Sequence, residues 1–62
     1  METINAEELK KGMEVISHLT GTRFVVGDIE ETKYGHLKIN DDKGKHVCTS
    51  GKKVKYFITW GF

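Results

Sequence analysis

The sequence predicts an all-β fold, a small five-stranded barrel with one short helical turn near the N-terminus. The chain has 62 residues with seven glycines and no proline, and its apolar runs are only a few residues long. These features are typical of short strands joined by tight turns. The longest apolar run, Arg23–Glu31, is rich in β-branched residues and contains a glycine. A chain of this length has room for a single domain, residues 1–62, with a thin core.

The central strand is predicted to bend. Phe24 and Val26 share one face by the period of two, whereas Ile29 falls on the opposite face unless an extra residue is inserted near Gly27. A bulge at Gly27 would return Ile29 to the core. A bent central strand allows a small sheet to curl onto itself, which favours the barrel.

The N-terminal helical turn has signals at both ends. Asn5 fits the N-cap, and Glu8 three residues later completes a capping-box pattern. Ile4 and Leu9 have the spacing of a hydrophobic staple, and Gly12 can end the turn in a left-handed conformation.

Strands are predicted at residues 13–17 and 36–41, separated from the central strand by a loop at 18–22 and a turn at 32–35. The next turn is predicted to be a three-residue hairpin loop at 42–44 with a left-handed Gly44. Ile39 then lies opposite Val47 on the core face, and the same register sets the remaining pairs. These are Asp41 with Lys45, Asn40 with His46, and Lys38 with Cys48.

The last predicted strand covers residues 54–60 and carries apolar residues on both faces. Tyr56, Ile58 and Trp60 share one face and Phe57 lies on the other, so one face remains to be covered. Phe62 adds to this excess, and a homodimer through the C-terminal strand is one way to cover it. The expected core residues are those on the inward face of every strand: Val15, Phe24, Val26, Ile29, Leu37, Ile39, Val47 and Ile58.

One segment suggests a family. The stretch from Lys11-Gly12 and Val15 through Gly27-Asp28-Ile29 resembles the Lys-Gly-x-x-Val start and Gly-x-Val end of a KOW-type element, which occurs in ribosomal and transcription-associated SH3-like barrels. The resemblance covers residues 11–29 and implies an SH3-like barrel. The alternative fold is an oligonucleotide-binding (OB) barrel, which usually needs a longer chain and an additional helix.

Charge divides the chain into two halves. Residues 1–31 carry three basic and seven acidic residues, a net charge of −4, and residues 32–62 carry seven basic and two acidic residues, a net charge of +5. The basic half also contains aromatic residues interleaved with the lysines. Cations beside aromatic rings that can stack on bases suit single-stranded nucleic acid. The residues predicted to bind nucleic acid or a protein partner are Lys33, Tyr34, Lys38, Lys52, Lys53, Lys55 and Trp60.

Three interpretations of this pattern stay open. The first is a nucleic-acid-associated module of the transcription or translation machinery, with lysines on phosphates and Tyr34 and Trp60 for stacking. The second is a small stand-alone adaptor or inhibitor, of the kind a phage accessory protein would be, that docks on a larger protein. In the third, Tyr56 and Trp60 are core residues and the lysines only protect edge strands from aggregation.

Catalytic and metal-binding patterns are weak. The Ser17-His18 pair has no carboxylate at a suitable spacing, and Cys48 has only His46 as a candidate base. His46 and Cys48, with His36 on the neighbouring strand, form one ligand pair, whereas structural zinc sites usually have two. We therefore expect no enzymatic activity, metal or cofactor.

The cellular setting follows from cysteine content. The chain has one cysteine, so no intrachain disulfide is possible, and this favours a reducing, cytoplasmic location. No segment resembles a signal peptide, and no apolar stretch is long enough for a membrane span.

Overall fold

A computed structural model describes residues 2–18 and 20–60, and this part of the chain is all-β. Phe62, which is predicted above to add to the uncovered apolar surface of the last strand, lies outside the described residues. The described part contains no helix of the length and apolarity needed to cross a membrane. In chain order the elements are β1 (Thr3–Asn5), a 3-10 turn (Ala6–Glu8), β2 (Glu14–Ser17), β3 (Arg23–Glu31), β4 (Leu37–Asp41), β5 (His46–Ser50) and β6 (Lys55–Trp60).

All strands belong to one antiparallel sheet with the order β1-β6-β2-β3-β4-β5. In the described residues this sheet has six strands, one more than the five predicted, and it is not closed. The additional strand is β1, which pairs with β6 from Thr3 opposite Phe57 to Asn5 opposite Lys55. A strand of three residues is too short to show a periodic pattern in the sequence.

The predicted bulge in β3 is confirmed. Val26 pairs with Asp41 and Ile29 with Ile39, so β3 has one more residue than β4 between these two pairs. Ile29 is thereby returned to the core face, where it is partly buried against the core. Gly27 lies at the bulge and is buried, and a Cβ atom at this position would overlap the carbonyl oxygen of Asp41. Only glycine permits so close an approach of the two backbones.

The bend allows the sheet to curl until its distant strands touch. Tyr56 of β6 is fully buried, and its hydroxyl donates to Ser50 Oγ of β5 at 3.0 Å and lies 3.1 Å from Cys48 Sγ. Three strands separate β6 from β5 in the sheet, so these contacts cross the interior. The turn between β5 and β6 is held by the 3-10 turn, because Ala6 N–H donates to the Val54 carbonyl at 2.8 Å.

The core lies on the concave face. Five of the eight expected core residues are buried there, namely Val15, Phe24, Val26, Leu37 and Ile39. The other three, Ile29, Val47 and Ile58, are partly buried and pack against them. The sequence left the burial of Tyr56 open, and Tyr56 is fully buried. The sequence reasoning missed a further set of buried residues, namely Ala6, Leu9, Met13, Ser17, Cys48 and Ser50.

The β4–β5 hairpin has the predicted loop but a different register beyond it. Gly44 has a φ of 83°, and Asn40 pairs with His46 as predicted. One residue further, Ile39 pairs with Cys48 and not with Val47. Val47 is therefore an extra residue in β5, and this bulge turns Cys48 into the core.

A similar shift occurs at the end of β6. Ile58 pairs with Val15 and Trp60 with Glu14, which leaves Thr59 as the extra residue of β6. The alternation of faces is interrupted after Ile58, and Trp60 is 59% exposed. The prediction that Trp60 shares a face with Tyr56 and Ile58 is therefore wrong.

The N-terminal turn follows the sequence signals in a tighter form. Its helical residues form a 3-10 turn, with the Asn5 N–H donating to Glu8 Oε1 at 3.1 Å. Leu9 is buried, and Gly12 has a φ of 98°. The turn covers the end of the core where β5 leads into β6.

Candidate functional site

The β3–β4 turn presents Lys33 and Tyr34. Thr32 N–H donates to the His36 carbonyl at 2.7 Å and Gly35 N–H to the Thr32 carbonyl at 3.0 Å, which fixes the turn. Tyr34 is 76% exposed, and the Lys33 ammonium lies 5.2 Å from the centroid of its ring. The pair therefore presents an aromatic ring together with a cation that is attracted to it.

The β5–β6 turn carries Lys52 and Lys53, and both are in ion pairs. Lys52 Nζ lies 3.4 Å from Glu31 Oε2, and Lys53 Nζ lies 2.7 Å from Glu7 Oε1. The hydrogen bond from Lys53 lowers the pKa of Glu7, and the same bond raises the pKa of Lys53. Both ion pairs join the basic half of the sequence to its acidic half.

Lys38 and Lys55 are exposed on strands. Lys38 lies directly opposite Glu30 of β3 on one side and Thr49 of β5 on the other. Lys55 begins β6 opposite Asn5 of β1. A carboxylate therefore lies beside three of the five predicted contact lysines, namely Lys38, Lys52 and Lys53.

The structure brings some of the predicted residues together and separates one. Glu31, the partner of Lys52, directly precedes the turn that carries Lys33 and Tyr34, so this turn and the β5–β6 turn lie at the same end of the molecule. Trp60 lies at the far end of β6, about 15 Å from Lys55 at the usual rise of a strand. Tyr34 and Trp60 therefore belong to different surfaces.

Trp60 is held at an exposed position by its own strand. The Thr59 hydroxyl lies 2.7 Å from Glu14 Oε1 and 3.0 Å from the Glu14 carbonyl oxygen, so it anchors the bulge to β2. Phe57, on the outer face of β6, is half-buried, and its ring centroid lies 5.2 Å from that of His18. Trp60 thus provides most of the aromatic surface that β6 presents to solvent.

A cleft lies between the end of the β2–β3 loop and the β4–β5 hairpin, and the sequence reasoning did not find it. It has a volume of about 280 Å³. Its residues come from segments more than 15 positions apart, and no linear spacing joins them. The lining residues are Thr20, Thr22, Arg23, Phe24, Asp41, Lys45, His46 and Val47.

No protein family, curated protein or solved structure matches this chain.

The candidate metal ligands His46 and Cys48 do not come together in the fold. His46 is exposed, and its Nε2 lies 3.2 Å from Thr49 Oγ1, whereas Cys48 is buried beside Tyr56. A strand without a bulge would place His46 and Cys48 on one face, but the bulge at Val47 places the two side chains on different faces.

Proposed function

We propose that this chain is a non-catalytic binding module that docks on a larger protein, with Tyr34 and Trp60 as its aromatic anchors. Large aromatic side chains are frequent hot spots of protein interfaces because each buries much area at a small cost in conformational entropy. Both are exposed on well-defined backbone, Tyr34 in a hydrogen-bonded turn and Trp60 on a strand. In this proposal the fold is a variant of the SH3-like barrel. The support is that β2 to β5 form a four-strand meander and that β2 also pairs with β6, the last strand of the chain.

The arrangement of charge favours a protein partner over a nucleic acid. A nucleic-acid surface needs cations that are free to replace the counterions of phosphate groups. Here Lys52 and Lys53 already pair with Glu31 and Glu7, and Lys38 lies opposite Glu30. A surface of mixed charge with exposed aromatic anchors suits a protein interface. The single cysteine is consistent with the cytoplasmic location that we propose for this interaction.

A capture experiment from cell extract tests the proposal. We expect the tagged wild-type chain to retain a protein after nuclease treatment, and Tyr34→Ser combined with Trp60→Ser to lose it. Lys10→Ser, a substitution of another exposed residue, is the matched control and should retain it. Trp60 is the only tryptophan of the sequence, so its fluorescence reports directly on burial in the complex. Capture that disappears on nuclease treatment, or that both aromatic substitutions leave intact, would contradict the proposal.

Nucleic-acid binding is the second candidate, and the Lys33–Tyr34 pair favours it. A ring that is 76% exposed with an ammonium group 5.2 Å from its centroid offers stacking and phosphate contact at one place. A mixed-sequence single-stranded oligonucleotide titrated at low salt should then shift the resonances of Lys33, Tyr34 and Lys38, and the shifts should vanish as salt is raised. An absence of salt-sensitive shifts would remove this candidate.

A further inference from the structure

The cleft occupies a place where the sheet lacks a strand. β4 pairs with β3 only between Val26 and Glu31, so the first part of β3 has β2 on one edge and the cleft on the other. The Asp42 N–H donates to the Val25 carbonyl at 3.0 Å and closes the inner end of this gap. On the opposite wall lie Lys45, His46 and Val47, where β5 begins. The gap is therefore bordered by the edge of β3 and by the start of β5.

The lining combines cationic groups with a small apolar floor. Arg23 and Lys45 are exposed on opposite walls, and Phe24 and Val47 form the apolar part. Asp41 is the one acidic residue of the lining, and its Oδ1 accepts two backbone N–H groups of the hairpin, each at 2.9 Å. Arg23 and Lys45 outnumber this single carboxylate, whose Oδ1 is also turned to the hairpin backbone, so the lining favours an anionic group.

Size and shape narrow the class of ligand. A volume of about 280 Å³ is just below the range of about 300–1,000 Å³ that is usual for small-molecule and cofactor pockets, so the cleft suits one or two side chains. Phe24 is only 8% exposed and packs edge-on against Tyr56, with ring centroids 6.4 Å apart. Its ring face is not available for a nucleic-acid base to stack on. An extended peptide segment fits the open edge of β3 and the cationic and apolar residues of the lining.

We propose that this cleft binds an extended acidic segment of the partner protein. The segment places a carboxylate between Arg23 and Lys45 and an apolar side chain against Val47 and the small exposed part of Phe24, while its backbone lies along the gap between β3 and the start of β5. The hydroxyl groups of Thr20 and Thr22 are additional donors at the rim. This inference rests on the proposed protein-binding function and adds to it a further surface and a chemical class of ligand.

Selection from a display library of random linear peptides, with the wild-type chain as bait, tests the inference. We expect the recovered peptides to be enriched in Asp and Glu next to an apolar residue. Binding of a recovered peptide should weaken at least tenfold in Arg23→Glu and in Lys45→Glu. The matched control is Lys10→Glu, which makes the same charge change outside the cleft and should bind as the wild type does. Thermal unfolding of each variant confirms that it is folded, and two separate cleft variants keep the test valid if one of them is not.

The outcomes also separate this inference from the proposed function. Recovery of no peptide, recovery of peptides without acidic residues, or binding that both cleft variants leave unchanged would overturn the acidic-segment proposal. A protein captured from extract that is lost with Tyr34→Ser and Trp60→Ser, yet retained by both cleft variants, would overturn it while keeping the proposed function. Binding of a polythymidine oligonucleotide that requires Arg23 and Lys45 would assign the cleft to phosphate and overturn it as well.

Discussion

The Tyr56 hydroxyl has a single proton, and its two partners assign the directions of the hydrogen bonds in the core. Tyr56 donates to Ser50 Oγ, so the contact with Cys48 requires the thiol to be the donor. A short chain of polar groups, Cys48 to Tyr56 to Ser50, is therefore satisfied inside an otherwise apolar core. The sequence could not indicate this network, because Cys48 and Ser50 turn into the core only through the bulge at Val47.

We predict that Tyr56→Phe destabilises the domain by about 1–3 kcal/mol, because Ser50 and Cys48 lose their common partner in a buried site. Urea denaturation at neutral pH measures the change in the free energy of unfolding. Tyr34→Phe is the matched control, since Tyr34 is 76% exposed and its hydroxyl is not in the core. Equal stability of Tyr56→Phe and the wild type would show that the hydroxyl contributes nothing.

The same hydroxyl predicts a loss of stability at alkaline pH. Burial raises the pKa of Tyr56 to about 12. Its pKa in the unfolded chain is about 10, so the unfolded state ionises first and stability falls as the pH rises from 10 to 12. The loss from this group should reach about 1.4 kcal/mol at pH 11. The difference in unfolding free energy between the wild type and Tyr56→Phe, measured at pH 8 and pH 11, should shrink by this amount, and a constant difference would contradict the assignment.

Three strands of the fold carry bulges, and they differ in how far the sequence could predict them. The bulge of β3 was predictable, because a glycine lies between Val26 and Ile29, two apolar residues that would otherwise face opposite ways. The bulges at Val47 and Thr59 have no glycine and leave a plausible alternating pattern in the sequence. Their positions depend on cross-strand contacts, such as that between Thr59 and Glu14, which form only in the folded sheet.

We predict that Gly27→Ala destabilises the domain strongly, by about 1–3 kcal/mol or more, because the new methyl group would overlap the Asp41 carbonyl. Gly51→Ala is the matched control. A Cβ atom there would approach only Val54 Cγ2, at an ordinary 3.8 Å, and Gly51 does not have a positive φ. Thermal unfolding should show a lowered midpoint for Gly27→Ala and little change for Gly51→Ala. Equal midpoints for the two variants would mean that the close approach at the bulge is not needed.

The same contrast applies to the candidate sites. The exposed positions of Lys33 and Tyr34 could be predicted, because a turn between two strands presents its side chains to solvent. The cleft could not, since Arg23 and Lys45 lie 22 positions apart and meet only after β3 has bent and β4 has ended. The additional strand β1 could not be predicted from the sequence either, because its three residues form a strand by pairing with β6 and have no periodic pattern of their own.

For the whole molecule, the charge difference between the halves of the sequence becomes complementarity within the fold. The ion pairs Lys52–Glu31 and Lys53–Glu7 each join a basic residue of the second half to an acidic residue of the first. Glu7 N–H also donates to the Lys52 carbonyl at 3.1 Å, so the 3-10 turn is attached to the β5–β6 turn by backbone and side chains. Part of the charge difference therefore stabilises the fold, and fewer unpaired charges remain to bind an external ligand.

We predict that Glu7→Lys and Lys53→Glu each lower the thermal midpoint at low salt, and that the double variant recovers much of the loss. The pKa of Glu7 is lowered, so its contribution to stability is present above the unfolded carboxyl pKa and is lost as the pH falls through the folded value. The pKa of Lys53 is raised, so its contribution is present below the unfolded amine pKa and is lost as the pH rises through the folded value. Both contributions are therefore present at neutral pH. Differences among the variants should shrink in 1 M salt, where the screening length is about 3 Å. A double variant as unstable as the sum of the single variants would contradict the pairing.

The last prediction concerns self-association through the C-terminal strand. β6 has β2 on one edge and β1 on the other from Lys55 to Phe57, so a second copy can reach it on its outer face and at its end near Trp60. Phe57 is half-buried there against His18, which leaves Trp60 as the main apolar contact. One tryptophan provides far less than the total of about 1,200 Å² that a stable interface usually buries. We therefore predict a monomer at low micromolar concentration and weak self-association only at high concentration.

Sedimentation over a concentration series should show the self-association abolished by Trp60→Ser and unchanged by Tyr34→Ser, which removes an exposed aromatic from the other surface. A dimer that persists at low micromolar concentration, or self-association that survives Trp60→Ser, would contradict this account of β6.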